Sequence, residues 1–408
     1  MSSISPTAGQ APRRLVPINP KPLTIAILLV ALGAVYLAQA VSVRRAALYV
    51  VGALLGVTLY HAAFGFTSAW RVFIADGRGA GLRAQMVMLA VGVMLFFPAL
   101  SAGTLFGQPV TGLVSPAGTS VIVGAFIFGI GMQLGGGCAS GTLYTVGGGS
   151  TRMVITLIGF IVGSVIATAH MPFWTSMPQL APMSLVKTLG VGTALVLNLL
   201  VFAGIAALTI MIEKRRHGRL VNEPARPAHA SPWLHGPWPL IAGAVALAVL
   251  NFATLALAGR PWGVTSAFAL WGAKGAAALG VDIASWKYWS AGPNAAALSA
   301  PLSFDVTTVM DIGIVLGAMA AAALAGRYAP VWRIPMRSIV AAVVGGLMLG
   351  YGARLAYGCN IGAYFSGIVS GSIHGWLWLV CAFAGNVLGT RLRPLFGLEV
   401  ERVRNTGC

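Results

Sequence analysis

Two stretches of this chain repeat one another, and in each an apolar run breaks at a glycine-flanked cysteine. The first extends from Gly124 to Gly141 around Cys138, the second from Gly345 to Gly362 around Cys359. With the cysteines superposed, Gly124 falls on Gly345, Gly129 on Gly350, Gly131 on Gly352, Leu134 on Leu355, Gly137 on Gly358 and Gly141 on Gly362. The coincidence indicates an internal duplication with one thiol at the same place in each half. Apolar runs of this length read as membrane-crossing helices, and the glycines mark where the helix stops.

The rest of the chain has the same character. It is 57% hydrophobic and 8% charged, with a mean hydropathy of +0.85, which describes a polytopic membrane protein. Its net charge of +18 does not imply nucleic-acid binding, because most of the basic residues lie in short loops and no basic stripe interleaved with aromatics is present. That charge orients the chain in the bilayer, with attraction of an anionic solute as a second reading. The four cysteines, Cys138, Cys359, Cys381 and Cys408, are spaced neither as a disulfide framework nor as a zinc site. Cys381 lies in an apolar run and reads as a small core residue.

Ten apolar runs are long enough to span, near 23–41, 46–62, 82–99, 118–135, 151–170, 187–212, 237–258, 305–325, 337–355 and 374–392. The expected fold is all-α: about ten spans built from two inverted repeats with broken or re-entrant helices. A cytoplasmic tail (1–22) precedes a first membrane half (23–212). A polar, proline-bearing linker (213–236) leads to a second half (237–392) and a tail (393–408). Arg13, Arg14, Lys21, the 71–83 loop (Arg71, Arg78, Arg83), Arg152, the linker and its Arg226, the 327–337 loop and the C-terminal tail with Arg402 and Arg404 are expected to be cytoplasmic. Both termini are then inside, with Arg44 and Arg45 falling on the wrong side. Trp262, Trp271, Trp376 and Trp378 read as interfacial anchors. A second repeated signature, Phe64 to Trp70 and Trp262 to Phe268, reads as another pair of broken segments. Inverted repeats with interrupted helices place a transporter's substrate site at the repeat interface.

Non-helical backbone survives at membrane depth only where protein or a water-filled cavity satisfies it. Gly135–Gly137 and Tyr357–Gly358 let the chain turn, and Ser140 and Asn360 are expected to cap the half-helices that follow. Such helix starts favour an anion. A thiol is a soft, weakly donating group, suited to an anion bearing sulfur or selenium. Arg354, opposite Gln133 in the repeat, either holds a dianion, pairs with Asp311 or reaches an interface. Lys274 and His61 are similarly open.

At Gly-Gly-Cys138-Ala-Ser-Gly, Gly-Ala-Arg354-Leu-Ala-Tyr-Gly-Cys359-Asn and Phe66-Thr67-Ser68-Ala69-Trp70-Arg71 the chain resembles the YeeE/YedE family of bacterial inner-membrane proteins. The resemblance covers roughly 45–400 and implies a carrier of thiosulfate or a related inorganic sulfur anion, with cysteines handing the anion inward. It implies a bacterial inner membrane, and a cytoplasmic sulfurtransferase as a partner; the YedE branch is associated with selenium instead. Relatives often carry cysteine in a Cys-Phe-Thr-x-Ala-Phe-Arg motif where this chain has Gly65, leaving Thr67 and Ser68, or Thr265 and Ser266, as hydroxyl donors.

The expected substrate-binding residues are therefore Cys138, Cys359, Arg354, Gly137, Gly358, Ser140, Asn360, Gln133, Thr67 and Ser68. No cofactor is expected, and enzymatic chemistry is disfavoured by the lack of a metal-ligand cluster, paired carboxylates or a nucleophile–base pair. The competing class is a membrane redox or sulfane-sulfur signalling protein in which the two thiols change state.

Overall fold

The computed structural model describes residues 18–221 and 231–400. The readings placed on Arg13, Arg14, Arg226, Arg402, Arg404 and Cys408, and on the part of the proline-bearing linker from 222 to 230, lie outside the described residues.

Ten helices are long and apolar enough to cross a membrane, and each expected span is found among them. In chain order the helices are α1 (Pro20–Ala40), α2 (Val43–His61), α3 (Phe66–Asp76), α4 (Ala80–Ala102), α5 (Thr119–Gly135) and α6 (Ala139–Gly147). Next come α7 (Thr151–Ser176), the short α8 (Leu185–Leu189), α9 (Val191–His217) and the single turn α10 (Pro232–His235). The second half contains α11 (Leu240–Ala258), α12 (Thr265–Ala278), α13 (Gly292–Ser299), α14 (Val306–Leu324) and α15 (Met336–Leu355). A π-helical turn (Asn360–Phe365) leads into α16 (Ser366–Val369), and α17 (Ile373–Leu392) closes the described chain. Two pairs of two-residue antiparallel strands tie loops together, with Thr104 opposite Pro109 and Ala117 opposite Leu180.

Local chemistry sets the helix ends. Ser42 accepts from the N–H of Arg45 to start α2, and Asp305 accepts from the N–H of Thr308 to start α14. Left-handed glycines close α3 (Gly77), α4 (Gly103) and α11 (Gly259). The loop expected over 71–83 is much shorter. Only 77–79 lies outside helix, so Arg71 is a buried residue of α3. Arg83, within α4, pairs with Glu213 at 2.7 Å.

Four helices are interrupted: α2 before α3, α5 before α6, α11 before α12, and α15 before the π-helical turn. In the order of the repeat, α2 to α7 correspond to α11, α12, α14, α15, the π turn with α16, and α17. Contacts between the halves come in matching pairs under this correspondence. Helix α5 packs on α17 as α15 packs on α7; α2 packs on α14 as α11 packs on α4; α3 touches α17 as α12 touches α7. Helices α1 and α9 stand outside the scheme and are largely unburied, at 11% and 17% of their apolar windows, as helices facing lipid would be.

At the centre α5 crosses α15, and the repeat glycines make the crossing. Glycine 131 abuts the backbone of Gly345 and Leu349, while Gly352 abuts the backbone of Gly124 and Phe128. The first glycine of each repeat (Gly124, Gly345) thus faces the later one (Gly352, Gly131) of the other, so the two helices run antiparallel. Close backbone approach between small residues is the usual adhesive between membrane helices, where burial from water contributes no drive.

Two of the expected interfacial anchors are instead core residues: Trp262 and Trp378 are fully buried. Trp262 sits in the break between α11 and α12, and the Trp378 indole donates to the Gly358 carbonyl at the second cysteine break; packing there outweighs an interfacial position. Trp271 is half-buried and donates to Thr308, and Trp376 stacks on Phe202.

A methyl group at Gly131 would lie 2.8 Å from the Leu349 nitrogen, and one at Gly352 2.7 Å from the Phe128 nitrogen. Gly131→Val and Gly352→Val are therefore expected to destabilise the protein by at least about 1–3 kcal/mol, the usual penalty of overpacking. Melting midpoints in detergent test this, with Gly204→Val as the control because that site faces open space.

Candidate functional site

The first break begins where Gly136 takes a left-handed conformation (φ 93°) after the last turn of α5. The cap of α6 is Cys138 itself: its Sγ accepts from the Gly141 N–H at 3.4 Å and lies 3.5 Å from Ser140 Oγ. Its carbonyl accepts from both the N–H and the hydroxyl of Thr142. Behind the break, Arg152 donates to the Leu134 carbonyl at 2.7 Å and the Gly135 carbonyl at 2.8 Å. A cation thus closes the carbonyl end of α5, where the helix dipole favours one.

The second break repeats this solution with different residues. Position 357 corresponds to 136, and Tyr357 is again left-handed (φ 56°), an uncommon state for a residue with a side chain. Gly358 follows at φ 153°, and its carbonyl accepts from Trp378 Nε1 at 3.2 Å. Cys359 caps the next segment, its Sγ accepting from the Ile361 N–H at 3.4 Å. The Cys359 carbonyl accepts from Ala363 and also from Tyr364, which winds the turn as a π-helix, a feature frequent at functional sites. Ser140 and Asn360 were expected as the caps. The structure gives that role to Cys138, two residues before Ser140, and to Cys359, one before Asn360, because the chain already turns helical at Ala139 and Asn360.

The two breaks meet. Helix α6 touches the π-helical turn, and Cys359 lies within electrostatic range of both Cys138 and Asp311. Both thiols are buried and free. Near Cys359 are polar atoms that are buried and lack a hydrogen-bond partner among the described residues: both amide atoms of Asn360, the Tyr364 hydroxyl and both carboxyl oxygens of Asp311; Thr67 Oγ1 on α3 is in the same state. Such groups are expensive to bury unless something pairs with them. Glycine 362 is buried, yet a methyl group there would meet nothing within 4 Å, so open space adjoins it. An aromatic wall closes this region. Tyr364 stacks on Trp378 (centroids 6.2 Å, 11°), with Trp70 edge-on to both.

The remaining expected residues are scattered. Gly137 is packed under Met153. Gln133 is fully buried but committed, donating to Asn386 Oδ1 at 2.6 Å and to the Thr67 carbonyl at 3.2 Å. Arg71 donates to Gln133 Oε1, so the residue ties α3, α5 and α17 together. Ser68 Oγ donates to the Gly65 carbonyl, and Gly65 lies beside Ser68 and the Tyr144 hydroxyl of α6. Arg354 does not pair with Asp311. It donates to the Tyr288 hydroxyl at 3.0 Å in the segment between α12 and α13, while the Asp311 carboxyl has no hydrogen-bond partner among the described residues. At its own break Ser266 donates to Thr307, which also receives Arg260.

Sequence reasoning missed Tyr364, Trp378 and Arg152. Tyr364 follows Cys359 by five residues in an apolar run and carries no spacing that separates it from core. Arg152 had a signal, a cation shortly after the glycine triplet, but it was read only as a marker of orientation.

A family model described as sulphur transport matches residues 61–388. The chain belongs to the sulphur-transport family. Within that family it is 27% identical over 346 residues to the thiosulfate transporter TsuA of Spirochaeta thermophila, covering 82% of this chain and 95% of the relative. It is 25% identical to the TsuA of Escherichia coli over 82% of this chain and 91% of the relative. It is also 32% identical over 173 residues to the probable transporter YedE of Escherichia coli, a match spanning 41% of this chain and 42% of YedE. The chain thus spans less than half of YedE's length. This family member is a multi-pass membrane protein, as its ten apolar helices require.

Removing the Arg152 guanidinium takes the donor from the buried Leu134 carbonyl and leaves the Gly135 carbonyl with the Thr156 hydroxyl alone, at the turn that precedes Cys138. Arg152→Met is expected to destabilise by about 1–3 kcal/mol. A lowered melting midpoint and faster maleimide labelling of Cys138 would show it.

Proposed function

We propose that the protein imports thiosulfate or a closely related sulfur anion through a central path lined by Cys138 and Cys359. The observation that carries this reading is the paired break: two buried, free thiols, each capping a helical segment, within electrostatic range of one another and beside open space. Each sulfur already accepts an N–H, so its S–H is the group to turn toward a ligand, with the Ser140 hydroxyl beside that of Cys138. Thiosulfate presents a soft terminal sulfur to such a donor and hard oxygens to free N–H groups at the start of α6. The orphaned Asn360 amide and Tyr364 hydroxyl supply further hydrogen-bonding capacity in the same region. Both TsuA relatives are named thiosulfate transporters, in support of the substrate.

In this reading the two halves, 23–212 and 237–392, are inverted repeats joined by the linker 213–236. The antiparallel crossing of α5 and α15 and the reciprocal contacts support the inversion. Basic residues put both termini and the tails (1–22 and 393–408) on the cytoplasmic side of a bacterial inner membrane. Arg44 and Arg45 mark the opposite end, where Arg44 donates to Gln108 and Arg45 is in range of Asp305 and Arg260. These cations attract anions to the outer mouth. A cytoplasmic sulfurtransferase then consumes what arrives. The protein works as a carrier and not as an enzyme.

Uptake of sulfur-labelled thiosulfate, in cells lacking their own thiosulfate and sulfate importers, tests the proposal. Cys138→Ser and Cys359→Ser retain a capping oxygen but lose the soft atom. Each is expected to lower the initial rate at least about tenfold, equivalent to about 1.4 kcal/mol, at matched membrane expression. Normal uptake by both variants would overturn the thiol-lined path. No uptake by the parent protein would overturn thiosulfate as substrate and move the test to selenium-bearing anions. Position 65 gives a gain-of-function test. A side chain there meets chiefly the flexible Ser68 Oγ, with Tyr144 at 3.6 Å, so Gly65→Cys is expected to fold and to raise the uptake rate.

A further inference from the structure

We propose that Asp311 is the proton-binding group of this carrier, and that a proton held there crosses the membrane together with the sulfur anion. The inference rests on the transport reading above and adds its energy source. Asp311 lies on α14, fully buried, and neither carboxyl oxygen has a hydrogen-bond partner among the described residues. An ionised carboxylate so placed, with no counter-ion, is too costly to maintain, whereas a protonated one is tolerated.

The groups around it offer no permanent counter-charge. Asp305, at the start of the same helix, and Cys359 are within electrostatic range. Helix α14 also packs on α1, α2, α6, α10 and α12. The cation of α12, Lys274, donates to the Leu298 carbonyl. Arg45 of α2 lies in range of Asp305, and Tyr49 of the same helix donates to Leu29. His61, near the end of α2, packs on Trp238 and is itself buried. Helix α6 brings Cys138 and Tyr144, α1 brings Lys21 and Tyr36 near its ends, and α10 brings His235.

Proximity to the thiol site supplies the coupling. A dianion at Cys359 and an ionised Asp311 repel each other in a poorly screened interior, so each disfavours the other. Anion binding therefore favours the protonated acid, and protonation favours anion binding, since linkage is reciprocal. The acid loses its proton once the anion has left and the site reaches water. Charge balances: a dianion with one proton moves as a single net negative charge. This halves the opposition from a potential negative inside and lets a pH gradient drive entry.

The test uses the full chain in liposomes containing a luminal pH dye, with labelled thiosulfate outside and the potential clamped. For the parent protein, luminal acidification on adding thiosulfate and faster uptake from an acidic exterior are expected. Asp311→Asn is expected to lose both gradient-driven accumulation and acidification while keeping exchange of external label for internal thiosulfate, which needs no net proton movement. Asp311→Glu is expected to restore coupling with a shifted pH profile. The proposal is overturned if the parent transports without moving protons, if Asp311→Asn remains coupled, or if that variant inserts normally yet loses exchange as well. Failure of the parent to transport at all would instead sink the transport reading.

Discussion

The structure depends on how closely α5 and α15 approach each other. Each repeat contributes two glycines to the crossing, and each glycine abuts backbone of the other helix. In lipid this contact is dispersion and backbone complementarity, without help from the expulsion of water. It fixes where both helices end, and hence where both cysteines lie. The flanking pairs, α5 with α17 and α15 with α7, then hold the ends in place from outside.

Ending two helices inside a membrane exposes their terminal carbonyl and N–H groups, and the protein answers each locally. Arg152 and Trp378 close carbonyls at one side of the breaks, and the cysteine sulfurs accept N–H groups at the other. The sulfur therefore has two simultaneous tasks. As an acceptor it stabilises the helical start; as a donor it remains available. A hydroxyl satisfies the first task equally well, so the choice of cysteine speaks for the second.

Much of this was legible in the sequence because it depends on spacing. The ten spans, the duplicated cysteine motif and the interrupted helices follow from hydropathy and glycine placement. What lay hidden was partnership across distance. Gln133 and Arg354 occupy equivalent positions in the repeat and looked like a functional pair. The structure instead ties Gln133 to Asn386 and Thr67, and Arg354 to Tyr288, all remote in sequence. Trp262 and Trp378 looked interfacial because aromatic residues at span ends usually are, but the broken helices bring them into the core. Asp311 was read only as a possible partner for Arg354, while its lack of a partner among the described residues is a property only of packing.

The two halves differ at one matched pair of atoms. Gly141 lies against the Cys138 sulfur, where a methyl group would be 3.3 Å away, whereas its counterpart Gly362 borders empty space. The same motif is thus tight in one half and loose in the other. Sequence similarity of the repeats fixes their backbone turn but not their fit, which the surrounding helices impose. A duplicated motif held in two unlike packings makes the molecule lopsided about its own centre, and that imbalance resides in the neighbours rather than in the motif itself.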